Sequence, residues 1–284
     1  MLREKTKDTL KKHGIRLSKK SGQSQLIDER ILKRIVEFGD VSTDDVVLEV
    51  GPGIGNLTNF LVERAGKVIA VESDERLTRI LKERLGERPN LKIVNGDILE
   101  FSLPEFDKVI ANIPYSISSP LTFKLLEWDF DLGVLMYQKE FAQRLVASPG
   151  SSDYSRLSAN VAYRAEAELL EEVPPGSFLP QPAVWSAIVR FKVREPSFEV
   201  RSEDLFFRTV LAAFQHRRQK IRNGLINSFE VLFPDVEFSG DKKRSFIDET
   251  VPREFLDLRP ESISPEEFGK ISDSLDKKFQ DFGC

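Results

Sequence analysis

The sequence predicts an α/β fold whose core is a mainly parallel sheet, followed by a small all-helical domain. Short apolar strands alternate with segments of helical periodicity between Val46 and Val193, and a glycine-rich turn follows the first strand. Beyond Glu195 the pattern changes to helices joined by short loops. Apolar, β-branched strands are typical of parallel sheets with helices on both faces, so these observations together indicate a doubly wound sheet with a helical appendage.

The chain length of 284 residues is sufficient for one large domain and one small domain. We predict a basic N-terminal arm over residues 1–21, a sheet domain over 22–194 and a helical domain over 195–284. Residues 1–20 contain eight Lys or Arg and two acids, although the whole chain has a net charge of −4. Because the arm has little apolar content, we expect it to be mobile until a partner orders it.

Composition argues against several classes of protein. Two histidines and one cysteine, Cys284, form no cluster for a metal and no internal disulfide. No apolar run approaches the roughly 20 residues that cross a bilayer, and no apolar export segment follows the basic N-terminus. We therefore expect a cytoplasmic protein that uses neither a membrane nor a metal.

The glycine-rich turn is the first candidate binding element. The apolar strand Val46–Val50 leads into Gly51-Pro52-Gly53-Ile54-Gly55, and helical spacing resumes near Thr58. Gly51 and Gly53 allow the backbone to turn sharply beside a ligand, and the loop brings its amides to the start of a helix. Such a turn can hold the pyrophosphate of NAD, or the amino-acid and ribose end of S-adenosylmethionine (SAM), or it can serve packing alone.

Acidic residues follow the next two predicted strands. Glu72 ends the second strand, 21 residues after Gly51, where a carboxylate can accept hydrogen bonds from both ribose hydroxyls of an adenosine cofactor. Asp97 follows the third strand and suits the adenine amino group, while Ile98 offers an apolar contact to the ring. Two acids after consecutive strands favour SAM over NAD in a Rossmann-like sheet.

The fourth strand ends in the tetrad Asn112-Ile113-Pro114-Tyr115, the most informative motif in the chain. An exocyclic adenine nitrogen is a poor nucleophile because its lone pair is delocalised into the ring. The side-chain oxygen of Asn112 and the carbonyl of Ile113 can accept its hydrogens, Pro114 can fix the turn, and Tyr115 can stack on the base. The tetrad resembles the signature of amino-group methyltransferases, and this resemblance implies methyl transfer to an amino group, with positioning supplying most of the rate.

A proline-rich segment, residues 173–182, is predicted to lack regular structure because it contains four prolines. Within it, Phe178 is a candidate to cover the target base from the face opposite Tyr115. The alternative is that Phe178 is a hydrophobic plug for the loop.

Four cations lie within six residues in the helical part of the chain: Arg217, Arg218, Lys220 and Arg222. Their density predicts a surface that binds phosphates of a nucleic acid. The alternative is an ordinary solvated helix face.

These motifs, in this order, resemble the small-subunit ribosomal RNA adenine dimethyltransferases, a SAM-dependent, Rossmann-like family. The resemblance runs from about Leu17 to Asn223. The small helical C-terminal domain and the motif Gly-Ile-Gly-Asn-Leu-Thr are more similar to the archaeal members than to the bacterial ones. The motifs that carry it are Gly22-Gln23 with Leu26 and Asp28, Glu49-Val50-Gly51-Pro52-Gly53, the Asn112 tetrad, Val173-Pro174-Pro175 with Phe178, and Arg217-Arg218 with Ile221-Arg222-Asn223.

The resemblance implies that SAM is the cofactor and that two adjacent adenosines near the 3′ end of small-subunit rRNA each receive two methyl groups. It also implies a monomeric enzyme acting on an immature ribosomal subunit, with residues 195–284 binding rRNA. The family's cofactor contacts then fall on Ser24, Leu26, Gly51, Glu72, Asp97 and Asn112. One departure is Ser24-Gln25, where the family has His or Asn and then Phe, so SAM affinity is expected to be lower or the lid more mobile.

Three alternatives stay open on the sequence. One is a large-subunit rRNA adenine methyltransferase of the same superfamily, and another is a ribosome assembly factor whose catalysis is dispensable. The third and most distant is an NAD dehydrogenase.

Overall fold

The computed structural model describes residues 2–15, 17, 24–100, 102 and 105–281, and the chain forms two compact units. The first unit comprises Met1–Ala142 and Glu166–Val193, and the second comprises Gln143–Ala165 and Arg194–Cys284. Several residues used in the sequence predictions lie outside the described residues: Arg16, Lys19, Lys20, Gly22, Gln23 and Cys284.

The helices and strands are numbered in chain order. The strands are β1 (Gln25–Leu26), β2 (Val46–Val50), β3 (Lys67–Glu72), β4 (Leu91–Asn95), β5 (Lys108–Asn112), β6 (Leu132–Gln138), β7 (Ala165–Val173), β8 (Phe178–Leu179) and β9 (Ser186–Val193). The helices up to the division between the units are α1 (Leu2–Lys12), α2 (Glu29–Phe38), α3 (Thr58–Leu61), α4 (Glu75–Leu85), α5 (Ser118–Leu125) and α6 (Lys139–Leu145). The later helices are α7 (Arg156–Arg164), α8 (Glu203–Gln215), α9 (Ile221–Asn227), α10 (Phe229–Leu232), α11 (Gly240–Thr250), α12 (Arg253–Leu256) and α13 (Pro265–Asp281).

A seven-stranded sheet forms the core of the first unit, in the order β4-β3-β2-β5-β6-β9-β7. Strands β2 to β6 pair in parallel, and β9 runs antiparallel to β6. The central strands are Val-, Ile- and Ala-rich and almost completely buried, as expected for a sheet covered on both faces. The predicted α/β fold with strands at Val46–Val50 and Lys67–Glu72 is confirmed, and the parallel order brings the ends of β2 to β5 to one edge.

The N-terminal arm was expected to be mobile, and for residues 2–12 this prediction is wrong. These residues form α1, whose Thr6 and Leu10 are buried. Leu10 packs in one apolar cluster with Ile54, and Lys12 forms an ion pair with Glu83 at 2.5 Å. A segment with few apolar residues can still be helical when those residues pack against the rest of the protein. Such tertiary contacts supply most of the stability of a short helix.

The proline-rich segment contains regular structure that the prolines did not predict. A 3₁₀ turn covers Pro175–Ser177, and β8 then pairs antiparallel with β1. Gln25 lies opposite Leu179, and Leu26 lies opposite Phe178. The prolines flank this two-residue ladder and do not interrupt it, so the donors at its two positions stay available.

Up to residue 281, the regular structure of the second unit is helical apart from the first residue of β7, and its core is rich in aromatic side chains. The ring of Tyr163 on α7 lies 4.6 Å from Phe206 and 4.9 Å from Phe198, and its hydroxyl donates to Glu203 at 2.9 Å. These contacts explain why residues 143–165, predicted as part of the sheet domain, cluster with the C-terminal helices. None of the helices in the described ranges is long and apolar enough to cross a membrane.

Candidate cofactor and substrate site

The glycine loop after β2 turns through left-handed backbone conformations. The φ angles are 66° at Gly51 and 60° at Gly53, a region that side-chain-bearing residues rarely adopt. A Cβ on Gly51 would lie 3.0 Å from Cδ of Pro114, and one on Gly53 would lie 2.3 Å from the amide of Gln25. The loop therefore lies directly against the tetrad on one side and against β1 on the other.

Glu72 ends β3 and is 6% exposed. Its Oε2 accepts a hydrogen bond from the backbone of Gly53, and its Oε1 accepts one from the backbone of Asp74, both at 2.9 Å. Burial raises the pKa of this carboxyl, although the backbone bonds oppose the shift. Each oxygen keeps a second lone pair, so the carboxylate can still accept a hydroxyl donor.

Asp97 and Ile98 follow β4, at the strand edge where the sequence predicts an adenine contact. Oδ1 of exposed Asp97 accepts from the backbone of Leu99 at 2.8 Å. The Ile98 side chain is 4% exposed, which leaves only a small edge for a ring contact. Lys124 on α5 donates to the carbonyls of Ile98 and Leu99 at 3.0 and 2.7 Å and so fixes this turn. Sequence reasoning missed Lys124 because an isolated helical lysine carries no signal for such a role.

Asn112 is the last residue of β5 and lies opposite Met136 of β6. Its Nδ2 donates to the backbone carbonyl of Ser24 at 3.3 Å. This bond orients the side-chain amide and engages its donor end, and no residue that the structure describes donates to the acceptor end, Oδ1. The structure therefore brings Ser24 and Asn112 together through the Ser24 backbone.

The rest of the tetrad turns away from the strand. The Ile113 side chain is 1% exposed, so Ile113 offers a substrate its backbone only. Pro114 has φ −56°, and a 3₁₀ turn begins at Tyr115. The Tyr115 hydroxyl lies 2.6 Å from Oγ of Ser186, and burial raises its pKa, so the phenol stays neutral at physiological pH. These contacts fix the orientation of the Tyr115 ring.

Two buried polar residues that sequence reasoning missed connect β1 and α1 to the glycine loop. Oε1 of Gln25, 8% exposed, accepts a hydrogen bond from the backbone of Ile54 at 3.2 Å. Asn56, 3% exposed, donates to the carbonyl of Leu26 at 2.9 Å and to Oγ1 of Thr6 at 3.2 Å. A signal for Gln25 existed, since the sequence departs from the family at Ser24-Gln25, but that departure predicted lower SAM affinity or a more mobile lid and not this hydrogen bond.

The prediction that Phe178 covers a target base does not fit the structure. Phe178 is 0% exposed and packs in the apolar core with Leu26, Leu32 and Ile188. Its neighbour in the β1–β8 ladder is Leu26, so the backbone pairing holds the ring inward. An aromatic residue beside a site and an aromatic residue in the core have the same sequence pattern. The burial of Phe178 supports the alternative prediction, in which it is a core residue that anchors the loop.

The cationic cluster lies in the second unit, at the turn between α8 and α9. Three of its members have acidic partners: Arg217 lies 3.9 Å from Glu261, Lys220 lies 2.8 Å from Asp257, and Arg222 lies 2.7 Å from Asp248. Arg218 is exposed and has no ion pair with any residue that the structure describes. The Lys220–Asp257 pair is exposed on both sides, and an exposed pair contributes little to stability. By contrast, Nε of Arg222, Oδ1 of Asp248 and Oε2 of Glu261 are buried, so Arg218 and Lys220 are the more accessible cations of the four.

Glu49 lies inside the sheet and is 1% exposed. Burial raises the pKa of its carboxyl to about 8, and the charge of Glu72 adds to the shift. The raised pKa favours the neutral carboxyl at pH 7, so Glu49 adds little charge beside Glu72. Over the described part of the chain, no group of His, Cys, Asp or Glu is arranged to hold a metal ion.

Comparison with known proteins decides among the enzymes that this site suits. Residues 14–247 match the family model described as ribosomal RNA adenine dimethylase. The chain belongs to this family. Membership of this family makes the chain a SAM-dependent rRNA adenine methyltransferase.

Two curated relatives from archaea are similar along nearly their whole length. A protein of Methanococcoides burtonii is 44% identical over 269 residues, covering 94% of this chain and 96% of its own. A protein of Methanothermobacter thermautotrophicus is 46% identical over 261 residues, covering 91% and 92%. Both are named probable ribosomal RNA small subunit methyltransferase A.

Two solved structures share the fold of the dimethylase family. A dimethyladenosine transferase from Plasmodium falciparum is 31% identical with a TM-score of 0.73, covering 90% of this chain and 97% of that chain. The 23S rRNA methyltransferase ErmE is 29% identical with a TM-score of 0.63, covering 88% and 99%. The predicted Rossmann-like methyltransferase sheet with a helical C-terminal region is thereby confirmed.

Proposed function

We propose that this chain transfers methyl groups from SAM to the exocyclic amino groups of two adjacent adenosines in small-subunit rRNA. The observation that carries the proposal is the orientation of Asn112, whose donor end is engaged by the Ser24 carbonyl at 3.3 Å. Asn112 ends β5 at the carboxyl edge of the sheet, and Pro114, two residues later, lies 3.0 Å from the position of a Cβ on Gly51. The proposal agrees with the names of the relatives from M. burtonii and M. thermautotrophicus.

The proposed chemistry depends on two acceptors and no strong base. Oδ1 of Asn112 and the carbonyl of Ile113 accept the two hydrogens of the adenine amino group, which returns its lone pair to nitrogen. The two acceptors would orient the nitrogen lone pair toward the electrophilic methyl group that a bound SAM would supply, and transfer of that methyl group would form the nitrogen–carbon bond at the expense of the carbon–sulfur bond. The methylated nitrogen is acidic and gives its proton to water. In the second round one hydrogen remains, so a single acceptor is sufficient.

Tyr115 holds the base for this reaction by stacking. Its hydroxyl is fixed on Ser186, and the ring starts the 3₁₀ turn directly after Pro114. A flipped base stacked on a fixed aromatic ring loses little further entropy as it reaches the near-attack geometry. Tyr115 is thus a positioning surface and takes no part in proton transfer.

The chain's own residues suit SAM. Glu72 would accept the ribose hydroxyls, Asp97 the adenine amino group, and the space above Gly51 and Gly53 would receive the amino-acid end. A bound SAM supplies an electrophilic methyl group. Ser24 contributes its carbonyl to the orientation of Asn112, and Leu26 holds β1 beside the loop through Asn56. Isothermal titration with SAM and with NAD tests this choice, and binding of NAD alone would exclude it.

We assign rRNA binding to the helical region 195–284 and to the basic arm 1–21. Arg217, Arg218, Lys220 and Arg222 would contact phosphates from the turn between α8 and α9. We further propose a monomeric enzyme that meets its substrate in immature small subunits in the cytoplasm, where such subunits mature. Sedimentation of the purified chain tests the oligomeric state.

The central experiment measures methyl transfer from labelled SAM to unmodified small subunits. Asn112→Ala is expected to lower kcat by about 100- to 1,000-fold, the cost of losing one well-placed polar contact to the reacting group. Glu87→Ala removes an exposed polar side chain of the first unit, away from the tetrad and the cationic turn, and serves as the control. Equal incorporation by wild type and Asn112→Ala would refute the role of the amide.

Two other functions can be distinguished from the proposed one, the first by mapping the methylated nucleotide and the second by measuring growth of cells that carry Asn112→Ala. ErmE, a 23S rRNA methyltransferase, shares the fold at 29% identity, so mass-spectrometric mapping must place the modified nucleotide in the small or the large subunit rRNA. An assembly factor with dispensable catalysis would support normal growth and subunit maturation when it carries Asn112→Ala.

A further inference from the structure

Trp185 is an exposed tryptophan at the edge of the sheet. Its exposed fraction is 48%, and that of the adjoining Val184 is 45%. By contrast, the ring of Trp128, the chain's other tryptophan, packs 5.5 Å from Phe106. Burying an indole stabilises a fold strongly, so a large aromatic side chain left in solvent is typical of a binding surface.

The backbone of Trp185 is fixed even though its ring is not. Its carbonyl accepts a hydrogen bond from the backbone of Lys139 at 2.9 Å. Strand β9 begins at the next residue, Ser186, which lies opposite Gln138 at the end of β6. Trp185 therefore lies at the carboxyl edge of the parallel strands, the edge at which β5 ends in the tetrad.

Trp185 is also directly connected to the tetrad. Ser186 accepts or donates the 2.6 Å hydrogen bond to the Tyr115 hydroxyl, so one peptide separates the residue that fixes Tyr115 from the exposed indole. Of the residues that the structure describes, none places an aromatic ring or a cation over the Trp185 ring. The backbone of Trp185 is therefore held in place, and its indole ring is open to solvent.

We propose that Trp185 stacks on an unpaired nucleobase of the RNA substrate, next to the adenosine that Tyr115 holds. The proposal rests on the proposed rRNA function. An adenosine that leaves its stack to reach Asn112 exposes the base beside it, and single-stranded RNA is recognised mainly by stacking of such bases on aromatic side chains. Trp185 supplies the second aromatic surface that the sequence assigned to Phe178, which is buried. The surface continues the tetrad site along the strand edge.

Fluorescence tests the contact directly. In the Trp128→Phe variant, Trp185 is the single tryptophan, and addition of a short single-stranded RNA with adjacent adenosines is expected to quench its emission. The same RNA with abasic positions beside the target adenosine should quench much less. Equal quenching by the intact and abasic RNAs, or no change with either, would overturn the proposal. This readout requires no methyl transfer, so its failure is distinct from failure of the proposed function.

Steady-state kinetics test its contribution. Trp185→Leu keeps apolar bulk without a π face and is expected to raise KM for the RNA by about 5- to 150-fold, the range for loss of one stacked base. Trp185→Phe should recover most of the loss, and SAM affinity should stay constant in both. Val184→Ala is the matched control. A KM for Trp185→Leu equal to that of the wild type would overturn the proposal. So would a wild-type protein that forms a dimer at high concentration when the Trp185 variants stay monomeric, because Trp185 would then be a dimer contact.

Discussion

The backbone amide of Gly53 donates a hydrogen bond to Oε2 of Glu72 at 2.9 Å. This bond joins the loop after β2 to the last residue of β3, the two features that the sequence assigns to one cofactor. The direction of the amide depends on the left-handed turn at Gly53, where φ is 60°. The position of the Glu72 carboxylate is therefore coupled to a glycine 19 residues earlier.

Gly53→Ala is expected to weaken SAM binding by at least tenfold. The added Cβ would lie 2.3 Å from the Gln25 amide, so it must displace Gln25 and disturb the bond to Glu72. The unfavourable φ costs stability as well, about 1–2 kcal/mol. Titration calorimetry with SAM and thermal unfolding measure the two effects separately.

Gly150→Ala is the matched control for backbone strain. Gly150 has φ 85°, but nothing lies within 4 Å of an added Cβ. Gly150→Ala should therefore lose a similar amount of stability with no change in SAM affinity. Equal SAM affinities for the Gly53 and Gly150 variants would contradict the proposal that the loop at Gly51 and Gly53 binds SAM.

Glu49→Gln is expected to make the protein more stable at pH 8 than the wild type. The folded pKa of Glu49 is about 8 against an ordinary 4.5, so between these values the folded state binds a proton that the unfolded state has lost. Stability of the wild type therefore falls as pH rises through this window, by at most about 1.4 kcal/mol per pH unit. Glutamine cannot ionise and removes this dependence.

Thermal unfolding at pH 5, 6, 7 and 8 checks the Glu49 prediction. The Tm of Glu49→Gln minus that of wild type should increase steadily over the series. Glu87→Gln, at an exposed carboxyl, provides the control and should show no such trend. A constant difference for the Glu49 variant would show that this side chain does not hold a proton in the fold.

Tyr115→Phe and Tyr115→Ala separate the hydroxyl from the ring. Phenylalanine keeps the stacking face and loses only the bond to Ser186, so kcat/KM for rRNA is expected to fall less than tenfold. Alanine removes the stacking face and should lower kcat/KM by about 100-fold or more. Two equally large losses would indicate that the hydroxyl takes part in the chemistry.

Arg218→Ala is expected to flatten the salt dependence of rRNA binding by about 0.7–0.9 in slope, the value for one phosphate contact. Lys220→Ala should have a smaller effect, because Lys220 must first leave Asp257, 2.8 Å away. Filter binding at 50–300 mM salt measures both slopes. SAM affinity is expected to stay constant, and an unchanged slope for Arg218→Ala would remove the turn between α8 and α9 from the RNA interface.

Local patterns carried much of the prediction. The strands Val46–Val50 and Lys67–Glu72 were predicted with the bounds that the structure has, because runs of buried β-branched residues have few other stable conformations. Asp28 caps α2 by accepting a hydrogen bond from the backbone of Arg30 at 3.1 Å, a local interaction that its position just before an apolar periodic segment favours. Parallel strands end at one edge of a sheet, and the structure shows what this arrangement brings together, since Glu72 accepts a hydrogen bond from the backbone amide of Gly53.

The sequence by itself determined the sheet, the glycine loop, the two acids and the tetrad, since each is specified by residues adjacent in the chain. Only the tertiary structure decided that Phe178 is core, that Trp185 is exposed, that α1 packs beside Ile54 and that Gln25 bonds the glycine loop. The physical reason is that burial and long-range hydrogen bonds depend on which segments pack together. An aromatic or amide side chain has the same local pattern whether its partner is solvent, another segment or a ligand.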